Sequence, residues 1–340
     1  MDLPRTLERL LCGEDLGEPE AAELLVALTD ASLDPAMAGA LLAALRSKGV
    51  APPELRGFAR AMRGLATRPH LPAGPPAVDI VGTGGDASGS FNLSTAAALL
   101  VAAMGVSVVK HGNRSVSSRS GSADLLECLG LSLPLDQARA GDCLAATGFT
   151  FLFAPHYHPA MKNVAPVRRA LGVRTVFNLL GPLTNPAEPP FSLIGAYSSE
   201  AAKLMAETLA GMPIQRAFVI HGEPGWDEAT PVGPFELYDI RPGQVEHEQR
   251  DARELGMNRC SASDLAGGDA AHNAAALRDV FEGRDRGPHR DAVVLNAALA
   301  LELVGAVASL AAGVAESQAA IEQGDAARML ERLREFGGSG

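Results

Sequence analysis

From residue 78 onward, short apolar runs alternate with longer segments of helical periodicity, and this alternation confines the chain to α/β architectures. The runs at 78–81, 106–109, 149–153, 193–197 and 217–220 read as strands. Continuous apolar runs separated by helices belong to a mainly parallel central sheet flanked by helices. Runs at 235–240 and 245–250, joined through Arg241-Pro-Gly-Gln244, read as an added β-hairpin. Ahead of this region, residues 1–72 read as a small all-helical domain, with Asp34-Pro35 and Ala51-Pro52-Pro53 as helix starts. The run Pro69-His-Leu-Pro-Ala-Gly-Pro-Pro76 reads as a linker, and residues 77–336 as the larger α/β domain. The apolar stretch 293–314 is interrupted by Asn296, Glu302 and Ser309, so it reads as a core helix and not a membrane span.

Charge narrows the partners. Forty acidic residues against 29 basic ones give a net charge of −11, which offers no bulk attraction to nucleic acid or an anionic membrane. A small anionic substrate needs only local positive charge. Asp2, Arg5, Glu8 and Arg9 do not make a signal peptide, and Cys12, Cys128, Cys143 and Cys260 lie far apart without a C-x-x-C pair. Free thiols in a reducing compartment follow, and with them a cytoplasmic protein with neither nucleic acid nor membrane as partner.

Two loops carry the clearest chemistry. The first, Gly82-Thr-Gly84-Gly85-Asp86-Ala-Ser-Gly-Ser90-Phe-Asn92-Leu-Ser94-Thr95, leads from a strand into a helix. Glycines let backbone N–H groups approach an anion, and the helix N-terminus adds partial positive charge. Ser94 is placed to offer its hydroxyl to a phosphate-bound metal. Gly82-x-Gly84-x-x-Ala87 also satisfies a relaxed dinucleotide pattern, but Lys110-His111 stands where a ribose-binding acid belongs. A tight turn with no ligand is the plainer alternative. The second loop, Lys110-His111-Gly112-Asn113-Arg114-Ser115-Val116-Ser117-Ser118-Arg119-Ser120-Gly121-Ser122, has the composition of a phosphate-recognition loop. A solvated basic loop is its alternative.

Three further motifs complete the set. His156-Tyr-His158 raises a metal site, but no companion cluster has ligand spacing, and the histidines read better as pocket lining beside Arg168 on the next helix. Thr175-Val-Phe-Asn178-Leu-Leu-Gly181-Pro182-Leu-Thr184-Asn185-Pro186 reads as a glycine-capped helix and a proline-ordered loop. Asp227-Glu228, in a glycine-rich loop after another strand, offers hard oxygen ligands of the kind Mg²⁺ shares with a phosphate substrate. Surface acids are the alternative.

Taken together, Gly82-Thr-Gly-Gly-Asp86 with Asn92-Leu-Ser-Thr95, Lys110 through Ser118, and Arg174 through Asn185 resemble the anthranilate phosphoribosyltransferase family, in the same order from about residue 78 to about 296. The resemblance implies a homodimer whose small helical domain also takes in helices from about 165–185. It implies transfer of the 5-phosphoribosyl group from phosphoribosyl pyrophosphate to the amine of anthranilate, with release of pyrophosphate, in tryptophan biosynthesis. By the same resemblance, Gly82, Gly85, Asp86, Ser90, Asn92, Ser94, Thr95, Lys110, His111, Gly112, Asn113, Arg114, Ser115, Val116, Ser117, Ser118 and Ser122 would hold phosphoribosyl pyrophosphate. Gly82, His111, Asn113, His158, Arg168 and Pro182 would line the anthranilate site, with Arg168 meeting the carboxylate. Ser94, Asp227 and Glu228 would hold Mg²⁺, two ions per site. His111 is the candidate for removing the amine proton. Trp226 and Ala87-Ser88-Gly89-Ser90 depart from the family pattern without removing a ligand. A pyrimidine nucleoside phosphorylase of similar fold and a non-catalytic nucleic-acid-binding relative are the alternative readings.

Overall fold

The computed structural model describes residues 1–86, 88–114 and 119–338. Four helices open the chain: α1 (Leu3–Leu11), α2 (Glu18–Leu28), α3 (Pro35–Lys48) and α4 (Pro52–Gly64). Each has a proline in its first turn, where the missing N–H costs nothing, and Asp34 caps α3 by accepting from the Ala36 and Met37 amides. α2 and α4 cross closely because Gly57 has no side chain; an added Cβ would meet Glu18 O and the Ala21 side chain.

The α/β region then runs β1 (Val78–Gly82), α5 (Leu93–Ala103), β2 (Val108–Gly112), α6 (Ser122–Cys128), α7 (Gln137–Thr147), β3 (Phe149–Phe153), α8 (Ala154–Tyr157), α9 (Met161–Leu171) and α10 (Phe177–Leu180). It continues with β4 (Phe191–Gly195), α11 (Ser199–Leu209), β5 (Arg216–Gly222), β6 (Phe235–Arg241) and β7 (Gln244–Arg250). Four helices close it: α12 (Ala270–Phe281), α13 (Pro288–Leu303), α14 (Leu310–Glu322) and α15 (Asp325–Gly338). The strands form one seven-stranded sheet in the order β3-β2-β1-β4-β5-β6-β7. The pairs among β1 to β5 are parallel, and β6 and β7 are the antiparallel hairpin.

Alternate side chains serve opposite faces of the sheet. Val78, Ile80, Leu193, Phe218 and Ile220 pack with α5 and α13, whereas Ile194, Ala217, Val219 and Ile240 pack with α11 and the N-terminal helices. α5 is buried on all sides, which is why its sequence shows no polar face. Val164, Val176, Phe177, Leu180 and Leu183 share the apolar cluster of α2, α3 and α4. Polar contacts join the same parts: Arg63 Nε donates to Leu183 O at 2.8 Å and Asn163 Nδ2 to Thr29 O at 2.8 Å.

Three local expectations are displaced. β2 occupies 108–112 because Val106 still belongs to the turn leaving α5, its amide donating to Val101 O, so Lys110 and His111 lie within the strand. β4 occupies 191–195, fixed by full pairing with β1 from Val78↔Phe191 to Gly82↔Gly195. The apolar stretch 293–314 is two helices, α13 and α14, broken between 304 and 309.

Candidate active site

Strand order reverses between β1 and β4: the chain leaves β1 for β2 on one side and returns to β4 on the other. Ligands of open α/β sheets bind beyond the strand C-termini at such a switch point. The motifs converge there. β1 delivers the glycine loop, with Gly84 and Gly85 at φ +66° and +72°, and α5 starts where Ser94 and Thr95 stand. Thr95 Oγ1, at the N-terminus of α5, is buried with no hydrogen-bond partner among the described residues.

The loop between β5 and β6 brings Asp227 and Glu228 into the same place. It lies on three strand ends that are all glycine: Gly82 of β1, Gly195 of β4 and Gly222 of β5. A Cβ on Gly82 would overlap the Asp227 carboxylate, one on Gly195 the Asp227 carbonyl oxygen, and one on Gly222 the Glu228 carbonyl oxygen. Asp227 Oδ2 accepts from the Gly84 amide at 2.7 Å; Glu228 accepts from Ser94 N at 3.1 Å and Ser90 Oγ at 3.2 Å. Trp226, the departure noted above, is buried and closes the loop, trading backbone hydrogen bonds with Gly222 at 2.8 and 2.9 Å.

The electrostatics of this cluster are those of a cation site. Burial, then the nearby Asp86 charge, pushes the Asp227 carboxyl up to about 7; burial, then Asp227 and Asp86, pushes Glu228 well above the usual range. A cation among these oxygens would relieve the repulsion, and carboxylates with a serine hydroxyl are the hard donors that Mg²⁺ selects. Among the described residues, no group of three or more His, Cys, Asp and Glu side chains is arranged to hold an ion unaided. Substrate oxygens and water would complete a Mg²⁺ shell.

Lys110 is buried (1% exposed), its Nζ donating to Ile80 O and, at 3.3 Å, to Ser94 Oγ. Burial pulls its pKa down to about 8 against the attraction of Asp79, Glu228 and Asp227. Asn113 O accepts from the Ala123 amide, joining the second loop to α6, whose first residue is Ser122. Arg114 pairs with α6: its guanidinium binds Asp124 at 2.8 Å and Glu127 at 2.6 Å. Ser115, Val116, Ser117 and Ser118, and Ala87 of the first loop, lie outside the described residues.

A second wall forms around residues 177–184. His111 Nδ1 lies 3.0 Å from Gly181 O, which only accepts, so the proton sits on Nδ1 and Nε2 carries a free lone pair. Nε2 is buried and unpartnered. The His158 ring lies 5.1 Å from that of His111, and its nitrogens make no well-formed hydrogen bond. Burial pushes His111 down to about 3 and His158 to about 4, so both are neutral at physiological pH. Pro182 is buried beside Gly181. Half-buried Arg168 sits with its guanidinium 5.1 Å from the ring centre of Phe177 and forms no ion pair among the described residues. His156 is exposed.

Some supporting residues carry no motif signal. Asn273 on α12 accepts from the Gly268 amide at 2.7 Å and donates to Asn92 Oδ1 at 2.8 Å, which turns the Asn92 amide group toward Ser120 O at 3.1 Å. Asn296 on α13 donates to Ala229 O at 2.7 Å, anchoring the acid loop from behind. The 265–267 segment pairs with the first loop, Phe91 N to Leu265 O and Gly267 N to Gly89 O. Asp79 is another, and Asn185 stands inside the 175–186 motif with no role read from it. Asn296 showed only as a polar break in an apolar stretch; the others needed the fold.

Known proteins resemble the chain along nearly its whole length. Residues 74–327 match the family described as glycosyl transferase family, a/b domain, and residues 4–66 its helical bundle domain. Anthranilate phosphoribosyltransferase of Desulforudis audaxviator is 45% identical over 334 residues, covering 97% of this chain and 95% of that protein. The crystal structure of the Thermus thermophilus anthranilate phosphoribosyltransferase superposes with a TM-score of 0.91 at 44% identity over 99% of both chains. The Saccharomyces cerevisiae enzyme in complex with PRPP and Mg gives a TM-score of 0.89 at 27% identity, covering 99% of this chain and 98% of that one. The same yeast enzyme in complex with 4-fluoroanthranilate gives 0.87 at 27% identity, with the same coverage.

Proposed function

Since the chain belongs to the anthranilate phosphoribosyltransferase family, we propose that it joins C1 of phosphoribosyl pyrophosphate to the amine of anthranilate, giving N-(5-phosphoribosyl)anthranilate and pyrophosphate. One observation carries the reading. A buried lysine, a helix N-terminus and two crowded acids meet beyond β1 and β2, and an unpaired arginine borders the adjoining wall.

Gly82, Gly85, Asp86, Ser90, Asn92, Ser94, Thr95, Lys110 and the second loop hold phosphoribosyl pyrophosphate. Asp227, Glu228 and Ser94 hold two Mg²⁺ ions, which when bound neutralise charge on the pyrophosphate. As the C1–O bond breaks, negative charge grows on pyrophosphate, and buried Lys110 with the N-terminus of α5 meets it. Arg168 binds the anthranilate carboxylate as a fork, while His111, His158, Asn113 and Pro182 orient the ring. The amine nitrogen attacks C1 and becomes an acidic anilinium, and His111 Nε2 presents the lone pair that takes its proton. A base weakened by burial suffices for so acidic a donor.

No helix is long and apolar enough to cross a membrane among the described residues, and the four cysteines are free, which supports a cytoplasmic protein. A homodimer belongs to the same reading. It is checked by sedimentation equilibrium. The test of function is the fluorescence of anthranilate: it should fall only when phosphoribosyl pyrophosphate and Mg²⁺ are both present. No loss at any enzyme concentration removes the reading.

A further inference from the structure

β1 and β4 pair along five residues, but the ladder between β1 and β2 holds Val78 opposite Val108 and goes no further. Its first bond, Val78 N–H to Ser107 O, is 2.9 Å. The regular spacing of a parallel ladder would next join Ile80 to Lys110, through Ile80 N–H to Val109 O and His111 N–H to Ile80 O. That pair is absent, yet its groups are not abandoned. Val109 O accepts from Asn185 Nδ2 at 2.8 Å, His111 N–H donates to Asp79 Oδ1 at 3.2 Å, and Ile80 O accepts from Lys110 Nζ. Side chains have taken over the ladder.

Asn185 ties these bonds into one unit. Its second N–H reaches Asp79 Oδ2 at 2.9 Å, and its Oδ1 accepts from Ala187 N at 2.9 Å, so every polar atom of the amide is used and its orientation is fixed. Asp79 is fully buried and Asn185 nearly so. Continuous pairing would bring the His111 amide to Ile80 O, and the Lys110 ammonium would then share the acceptor that holds it beside Ser94.

We propose that Asp79 and Asn185 are positioning residues that interrupt the β1–β2 ladder and thereby set Lys110 and the loop that follows it for phosphoribosyl pyrophosphate. The inference rests on the proposed transferase reading. Neither residue contacts Arg168 through these bonds, so the contact proposed for the anthranilate carboxylate stays, and the pair reaches the anthranilate wall only through the His111 backbone amide.

Two isosteric variants test it in the full-length protein. Asn185→Asp keeps the acceptor for Ala187 and loses both donors; Asp79→Asn keeps the shape and loses the charge. Both should retain the wild-type circular dichroism spectrum. The KM for phosphoribosyl pyrophosphate should rise at least tenfold while that for anthranilate moves less than threefold. An unchanged KM for phosphoribosyl pyrophosphate in a folded variant overturns the inference, as does an equal rise in both constants. Failure of both variants to fold also overturns it, because the pair would then carry the fold and not the placement. Wild-type protein without phosphoribosyl transfer would sink the underlying reading instead.

Discussion

Arg168→Ala separates the two substrates most cleanly. The guanidinium is half-buried, it packs against Phe177, burial lowers its pKa, and it forms no ion pair among the described residues. A hydrogen bond to a charged group contributes about 1.5–3 kcal/mol. At about 1.4 kcal/mol per tenfold, its loss corresponds to roughly a 10- to 150-fold fall in kcat/KM for anthranilate, toward the upper end for a two-pronged contact. The packing lost with Phe177 is about 0.5–1 kcal/mol, too little to unfold the chain. Arg168→Lys keeps the charge without the fork and should fall between alanine and wild type. The assay is the initial rate of anthranilate fluorescence loss, titrating each substrate at saturation of the other. Equal rises in both KM values, or an anthranilate KM within threefold of wild type, would remove Arg168 from the carboxylate.

Buried neutral histidines make stability pH-dependent. His111 and His158 have folded pKa values near 3 and 4, below the ordinary value, so the unfolded chain binds more protons below about pH 6.5 and stability falls as pH drops. At about pH 5.5 the loss is about 1.4 kcal/mol for each histidine, and His158→Gln should flatten the fall in melting temperature between pH 7.5 and 5.5. In the helical block, fully buried Glu54 binds Lys48 at 2.9 Å and accepts from the Leu16 and Ala51 amides. Glu54→Ala should cost about 3 kcal/mol or more by chemical denaturation, and a smaller loss would mean that the site rehydrates. Glu228→Gln should raise the Mg²⁺ concentration for half-maximal activity at least tenfold, and an unchanged requirement would remove Glu228 from the ion's ligands.

Much of the fold was legible because its signals are local. The hairpin through Arg241-Pro-Gly-Gln244 and the proline-led helix starts depend on neighbours a few residues apart. The glycine loop and the acid pair could be read the same way, each as a ligand site in its own right. Long-range exchanges could not. Asp79 sits inside an apolar strand and Asn185 in a proline-ordered loop, and only the interrupted ladder makes them partners. Arg114 looked like a phosphate ligand by composition, whereas two acids of α6 compete for it. The end of β2 was misplaced because burial of Lys110 and His111 is tolerable only with the acceptors that distant segments supply.

The row of glycines at the ends of β1, β4 and β5 also bears on how such a site can drift over generations. The height of the acid pair above the sheet is set by side chains that are missing on other strands, not by the acids themselves. One methyl group at residue 82, 195 or 222 would therefore displace the loop while leaving both acids in the sequence. Selection on the placement of the acid pair can act at positions that carry no acid. A comparison restricted to the ligands would miss the change.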